Sequence, residues 1–233
     1  MTEQSISRSF ARMPRKSRIQ QLSICYHLFN RGINRQAIFR SDADRKVFTD
    51  LVREYKERCG ARVYHWAWME NHYHMLVEIE FKQLRIFAGG IQQSYVQYFH
   101  KRHNTCGIFW QGRYKSPPVE CTDEYMGRCG RYIERNPVVA EIVQHAWAYP
   151  WSSAAYYAMA VNDQLTDANI HTGADRMTEH EREVYREGLS CREDDSWGTN
   201  DMTGGVIGSP EFATRFKRKS GRHCRKCGNK RAR

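Results

Sequence analysis

Two runs of period-two residues stand back to back in this chain, separated by only two polar positions. The first, ARVYHWAWM at 61–69, sets Val63, His65 and Ala67 against Tyr64, Trp66 and Trp68. The second, HYHMLVEI at 72–79, follows directly after Glu70 and Asn71. Alternation at period two sends successive side chains to opposite faces of a strand. A two-residue gap between such runs leaves room for little but a hairpin turn. An antiparallel pair is therefore the expected nucleus, and the other elements must be arranged around it.

Upstream, SICYHLFN at 23–30 has the β-branched and aromatic enrichment of a strand and is stopped by Gly32. Between the two lies a helical pattern, Asp42 to Arg58, with Val47, Phe48, Leu51, Val52 and Tyr55 on one face, Ser41 or Asp42 as N-cap, and Cys59-Gly60 at its end. Gln83 to His103 predicts a second long helix with Ile91, Tyr95, Tyr98 and Phe99 on its apolar face. Gly89 and Gly90 weaken it by about 1 kcal/mol each relative to alanine. Residues 107–120 predict a fourth strand region broken at Pro117-Pro118, and a third helix begins near Thr122. That helix is expected to stop at Asn136-Pro137, because proline disfavours helical geometry in the residue before it. The order strand, helix, strand, strand, helix, strand belongs to the α+β class, as a ferredoxin-like antiparallel sheet with helices on one face. Beyond about residue 150 a short helix near 152–160, an acidic helix near 174–190 and a glycine-rich loop at 204–208 follow. The division is a basic segment 1–22, a core domain 23–155, a helical appendage 156–213 and a basic tail 214–233.

Of a formal charge of +11, the last twenty residues carry ten Lys or Arg and no acid, and residues 1–18 carry five bases against one acid. The body between is slightly acidic, so the charge sits at the two ends. Such a distribution suits a polyanionic partner held electrostatically. No apolar run approaches the ~20 residues a membrane helix needs, and the N-terminus lacks the apolar stretch of a secretory signal. A cytoplasmic protein without membrane association is expected, and its eight cysteines are then reduced thiols. One compact cluster, His223, Cys224 and Cys227, is either half a zinc knuckle or an unmetallated stretch of the basic tail.

His72 and His74 occupy positions i and i+2 of a strand and so share a face, where two imidazoles can converge on one cation. Two ligands are too few, and a third must come from elsewhere. Tyr132 and Asn136, four apart on the third helix, offer an amide oxygen and a phenol on one face. Tyr125, one heptad earlier, is the competing phenol. With an ordinary pKa near 10, a tyrosine nucleophile needs an electrophile already polarised by a cation.

Several separated motifs carry a family resemblance: NRGINR at 30–35, MENHYHMLV at 69–77, WQGRYK at 110–115, RYIERNPV at 131–138 and YPWSS at 149–153. Together they resemble the REP-associated tyrosine transposases, within the single-tyrosine HUH transposases, over about residues 24–155. The resemblance implies that His72, His74 and Asn136 hold Mg²⁺ or Mn²⁺. It implies that Tyr132 attacks a single-stranded DNA phosphate, leaving a 5′-phosphotyrosine and a free 3′-hydroxyl. The partner it implies is a single-stranded, hairpin-bearing DNA of the REP type. Arg35, Arg113 and Lys115 are candidate phosphate contacts, Trp110 and Tyr114 candidate stacking surfaces, and Arg215, Lys217, Arg218 and Lys219 a clamp for a hairpin stem. The rival reading is a non-catalytic binder that stacks bases on its sheet. A metal-dependent hydrolase, with water in place of the phenol, is a third. Monomer and homodimer are both compatible with the helical pattern.

Overall fold

The computed structural model describes residues 23–168, 177–190 and 205–220, without the side chains of 217–220. The basic N-terminal segment, Lys217, Arg218 and Lys219 as side chains, and the cluster of His223, Cys224 and Cys227 lie outside the described residues.

Four strands, β1 (Ser23–Arg31), β2 (Arg62–Met69), β3 (His72–Glu80) and β4 (Pro118–Val119), form one sheet in the order β2-β3-β1-β4. All its pairs are antiparallel. β2 and β3 form the hairpin that their alternation predicts, and β1 inserts beside β3. This is the ferredoxin-like arrangement: each crossover helix carries the chain past one strand, with β3 between β1 and β2 and β1 between β3 and β4.

The crossover helices α1 (Asp42–Cys59) and α2 (Phe81–His103) cover one face. Phe48 and Val52 of α1 and Phe87, Ile91 and Tyr95 of α2 pack there against Leu28, Trp68, Tyr73, Met75 and Val77. Ser41 caps α1, its side chain accepting from the Asp44 amide while the Asp44 carboxylate accepts from the Ser41 amide. In α2, Gly90 has a packing reason: a Cβ there would meet the Tyr55 ring at 2.2 Å, so the bare backbone lets α1 and α2 close on each other.

The third helix, α3 (Asp123–Val139), lies on the opposite face. Met126, Cys129 and Ile133 pack on Cys25, Tyr64, Ala67 and Leu76. Both faces of the sheet are therefore covered. α3 runs three residues past the expected stop, with Pro137 inside it. The reason is local. Proline removes the backbone donor for the Ile133 carbonyl, and the Asn136 side-chain nitrogen supplies one instead at 3.1 Å.

The fourth strand is shorter than the sequence predicts. Residues 110–117 follow β1 through isolated pairings, Phe29 with Lys115 and Gly32 with Trp110, and only Pro118–Val119 qualifies as strand. Two prolines without N–H groups limit the segment to the sheet edge. At the other edge, residues 151–153 run along β2, with Trp68 N donating to Trp151 O at 2.9 Å and Ser153 N to Trp66 O at 3.0 Å. Helices α4 (Ala154–Met159), α5 (Glu179–Ser190) and α6 (Pro210–Ser220) complete the described chain. α6 covers the start of the basic tail, where no element was expected. No helix among the described residues is long and apolar enough to cross a membrane.

Candidate active site

Alternation along β3 divides its side chains. Tyr73 and Met75 enter the α1/α2 core, while His72 and His74 face the side on which α3 packs. α3 brings Tyr132 to the same place, its ring meeting both His74 and His27 edge-on at 5.8 Å between centroids. Asn136, one turn later, lies with its Oδ1 3.5 Å from His72 Nε2. These four side chains line one cavity of about 720 Å³, whose walls include Arg31, Arg35, Arg113 and Lys115.

The two imidazoles are held by their other nitrogens. His72 Nδ1 lies 2.7 Å from Asn71 Oδ1, an atom that only accepts, so the ring proton is on Nδ1 and Nε2 presents a lone pair. His74 Nδ1 lies 2.9 Å from Nε2 of buried His27, which leaves His74 Nε2 as its remaining donor atom. Burial pulls His72 down, a contact with Asn136 opposes this, and the charge of Arg31 adds to the fall. His74 is pulled well down by burial and by the neighbouring His27 and His72 rings. Neutral rings are what a cation requires.

A lone pair on His72 Nε2 thus faces an amide oxygen at 3.5 Å, too long for a good hydrogen bond and with no hydrogen between them. Two inward-facing donors of this kind, with His74 beside them, suit a divalent cation. Among the described residues no group of three or more His, Cys, Asp or Glu forms a metal cluster, and the oxygen that the fold brings beside the two imidazoles is Asn136 Oδ1. Burial raises the Tyr132 phenol above its usual value, with Cys129 adding to it, so the hydroxyl is neutral at ordinary pH.

Arg35 reaches the cavity from a tight 3₁₀ turn, Ile33–Arg35, in which Asn34 (φ 51°) and Arg35 (φ 59°) are both left-handed. Such backbone costs on the order of 1–2 kcal/mol per non-glycine residue and gathers where function demands it. The Gln36 side chain, donating to Phe109 O at 2.9 Å, helps hold the turn.

A family model described as "Transposase IS200 like" matches residues 20–136, just over half of the sequence. The chain belongs to the IS200-like transposase family. Among solved structures, the chain is similar to that described as "Structure of the REP associates tyrosine transposase bound to a REP hairpin", at 14% identity and a TM-score of 0.48, over 68% of this chain and 93% of that one. A putative transposase from Deinococcus radiodurans R1 matches at 16% identity and a TM-score of 0.36, over 56% and 94%. No curated protein matches.

Within this IS200-like core, not every expected residue reaches the cavity. Trp110 and Tyr114 do not line it. Trp110 packs edge-on to Tyr73 at 5.8 Å and Phe109 at 4.8 Å, and Tyr114 packs against the same core. Tyr125, the competing phenol, packs beneath α3 away from the cavity. Arg215 is exposed on α6 and is not a lining residue. Conversely, His27, Asn71 and Arg31 are at the site without having been singled out. Phe29 belongs with them, stacked on His74 at 5.4 Å with Lys115 Nζ 5.7 Å from its ring.

The helix that carries Tyr132 is pinned from behind. Fully buried Glu134 accepts from Ser153 Oγ at 2.6 Å and Tyr185 OH at 2.8 Å and pairs with His65 Nδ1 at 2.8 Å. Because β2, α3, α5 and the 151–153 segment meet on one carboxylate, α3 has little freedom to slide.

Proposed function

We propose that this IS200-like chain is a DNA strand transferase that cleaves and rejoins single-stranded, hairpin-bearing DNA of the REP type through a 5′-phosphotyrosine at Tyr132. The observation that carries this is the meeting of Tyr132, His72, His74 and Asn136 in one cavity of one chain. His72 Nε2, His74 Nε2 and Asn136 Oδ1 would hold Mg²⁺ or Mn²⁺. The cation would polarise the scissile phosphate and stabilise the departing 3′-oxygen. Two imidazoles make a softer site than Mg²⁺ prefers, which favours Mn²⁺.

Arg31, Arg35, Arg113 and Lys115 bind and orient the DNA backbone along the cavity walls, as guanidinium forks do for phosphate. α3 aims the phenol at phosphorus. As the Tyr132 oxygen bonds to phosphorus its proton is released, and the 3′-oxygen leaves and takes up a proton. The new ester keeps the energy of the broken one, so the 3′-hydroxyl can reverse the step without a nucleotide cofactor. Because α3 packs on its own sheet, Tyr132, His72, His74 and Asn136 come from one chain, which suits a monomer; a homodimer would not have to share a site. The exposed Arg215 on α6, with Lys217, Arg218 and Lys219 after it, would grip the hairpin stem. A binder that stacks bases on its sheet needs an open face, and both faces are occupied.

Labelled hairpin DNA incubated with the protein and Mn²⁺ should give a covalent adduct on a denaturing gel. Tyr132→Phe should abolish the adduct and leave DNA binding nearly unchanged. Cleavage without an adduct would instead indicate a hydrolase, and binding without cleavage a non-catalytic protein.

A further inference from the structure

A proline sits where a helix interior ordinarily rejects one. Pro137 is buried within α3, two residues before its last. It has no N–H, so the Ile133 carbonyl lacks the backbone donor that every other interior turn provides. A carbonyl left so must find another donor or forfeit a hydrogen bond. The donor it finds is the residue immediately before the proline: Asn136 Nδ2 lies 3.1 Å from Ile133 O and 2.9 Å from Tyr132 O.

This arrangement decides which end of the carboxamide meets the cavity. The amide nitrogen only donates and its two hydrogens are matched by two helix carbonyls, so the oxygen must point the other way. It does, toward His72 Nε2 at 3.5 Å. With the amide reversed, the cavity would face N–H groups that repel a cation.

We propose that Pro137 is a positioning residue for the cation site. By withholding a backbone donor it reserves the Ile133 carbonyl for Asn136 Nδ2, and so holds Asn136 Oδ1 in place beside His72 and His74. The inference rests on the cation site proposed above. Pro137 itself touches neither cation nor DNA. Restoring an N–H at position 137 returns Ile133 O to the helix ladder, so the carboxamide shares both its acceptors, Tyr132 O and Ile133 O, with backbone donors and is held less firmly.

The test is Mn²⁺ titration of the full chain without DNA, followed by electron paramagnetic resonance, alongside thermal unfolding. Pro137→Ala should raise the Mn²⁺ Kd about tenfold, the lower end of what losing a residue behind a metal ligand costs. Its unfolding midpoint should stay level or rise, because a proline has left a helix interior. In an Asn136→Ala background the same substitution should leave the Kd unchanged. A proline that only shapes the helix would move the midpoint and not the affinity. Wild-type Kd in Pro137→Ala, or a loss that persists in the Asn136→Ala background, would overturn the proposal while leaving the cation site standing. Mn²⁺ binding that survives replacement of both His72 and His74 by alanine would overturn the site, and this inference with it.

Discussion

Three imidazoles lie in a row across β1 and β3, with ring centroids 5.1 Å apart from His27 to His74 and from His74 to His72. His27 stacks on His74 and His72 meets it edge-on, and such close packing is tolerable only while the rings are neutral. Burial pushes His27 down to about 3 from an ordinary 6.5. The unfolded chain therefore takes up a proton there below about pH 6.5 and the folded chain does not until about pH 3. Stability that is whole above pH 6.5 should drain away as the pH falls through that window. His72 and His74 are shifted the same way and add to the slope. Replacing His27 by Gln should flatten, without abolishing, the fall of the unfolding midpoint between pH 6.5 and 4; an unchanged slope would mean that His27 is not a buried group that titrates on unfolding. At this scale the sequence is legible only in part. His72 and His74 can be read because period two puts them on one face whatever the strand pairs with. His27 cannot, because its place beside His74 depends on the register that sets Phe29 opposite His74, and nothing local states that register. Arg31, opposite His72, is hidden for the same reason.

Among the elements, α3 has the most exacting fit. Gly130 faces the His65 ring so closely that a Cβ would meet its atoms at 2.4–2.6 Å, and that ring belongs to the buried pair with Glu134. Gly130→Ala should destabilise the fold by about 1–3 kcal/mol, the usual range for overpacking a tight contact, despite alanine's higher helix propensity. Chemical denaturation would measure it, and a variant more stable than wild type would show that the approach is not tight. Shifting α3 also moves Tyr132, so adduct formation should fall more steeply than stability alone accounts for. Helices α1 and α2 and the β2–β3 hairpin are plain in the sequence, since amphipathic periodicity and a two-residue gap are local signals. The end of α3 is not. A rule about proline's backbone predicts a stop at Asn136, and a side chain that replaces the missing donor carries the helix on to Val139. The 107–120 region misleads differently, because its aromatic residues are there to fill the core beside β1 and not to extend a regular strand.

For the molecule as a whole, the decisive feature is that α3 folds back onto its own sheet, so phenol and imidazoles belong to one chain. Mixing Tyr132→Phe protein with protein carrying alanine at both His72 and His74 should then restore no cleavage. Activity regained on mixing would mean that the helix is exchanged between two copies. The cavity walls carry Arg31, Arg35, Arg113 and Lys115, and hairpin binding should weaken steeply with added salt as displaced counterions return to the DNA. What decides the chemistry is which atom becomes bonded to DNA. The direct measurement is mass spectrometry of a protease digest made after reaction with hairpin DNA and Mn²⁺. The expected result is a 5′-phosphodeoxynucleotide on the peptide containing Tyr132 and on no other; DNA carried by Tyr125 or any other residue, or cleaved DNA with every peptide unmodified, would contradict it.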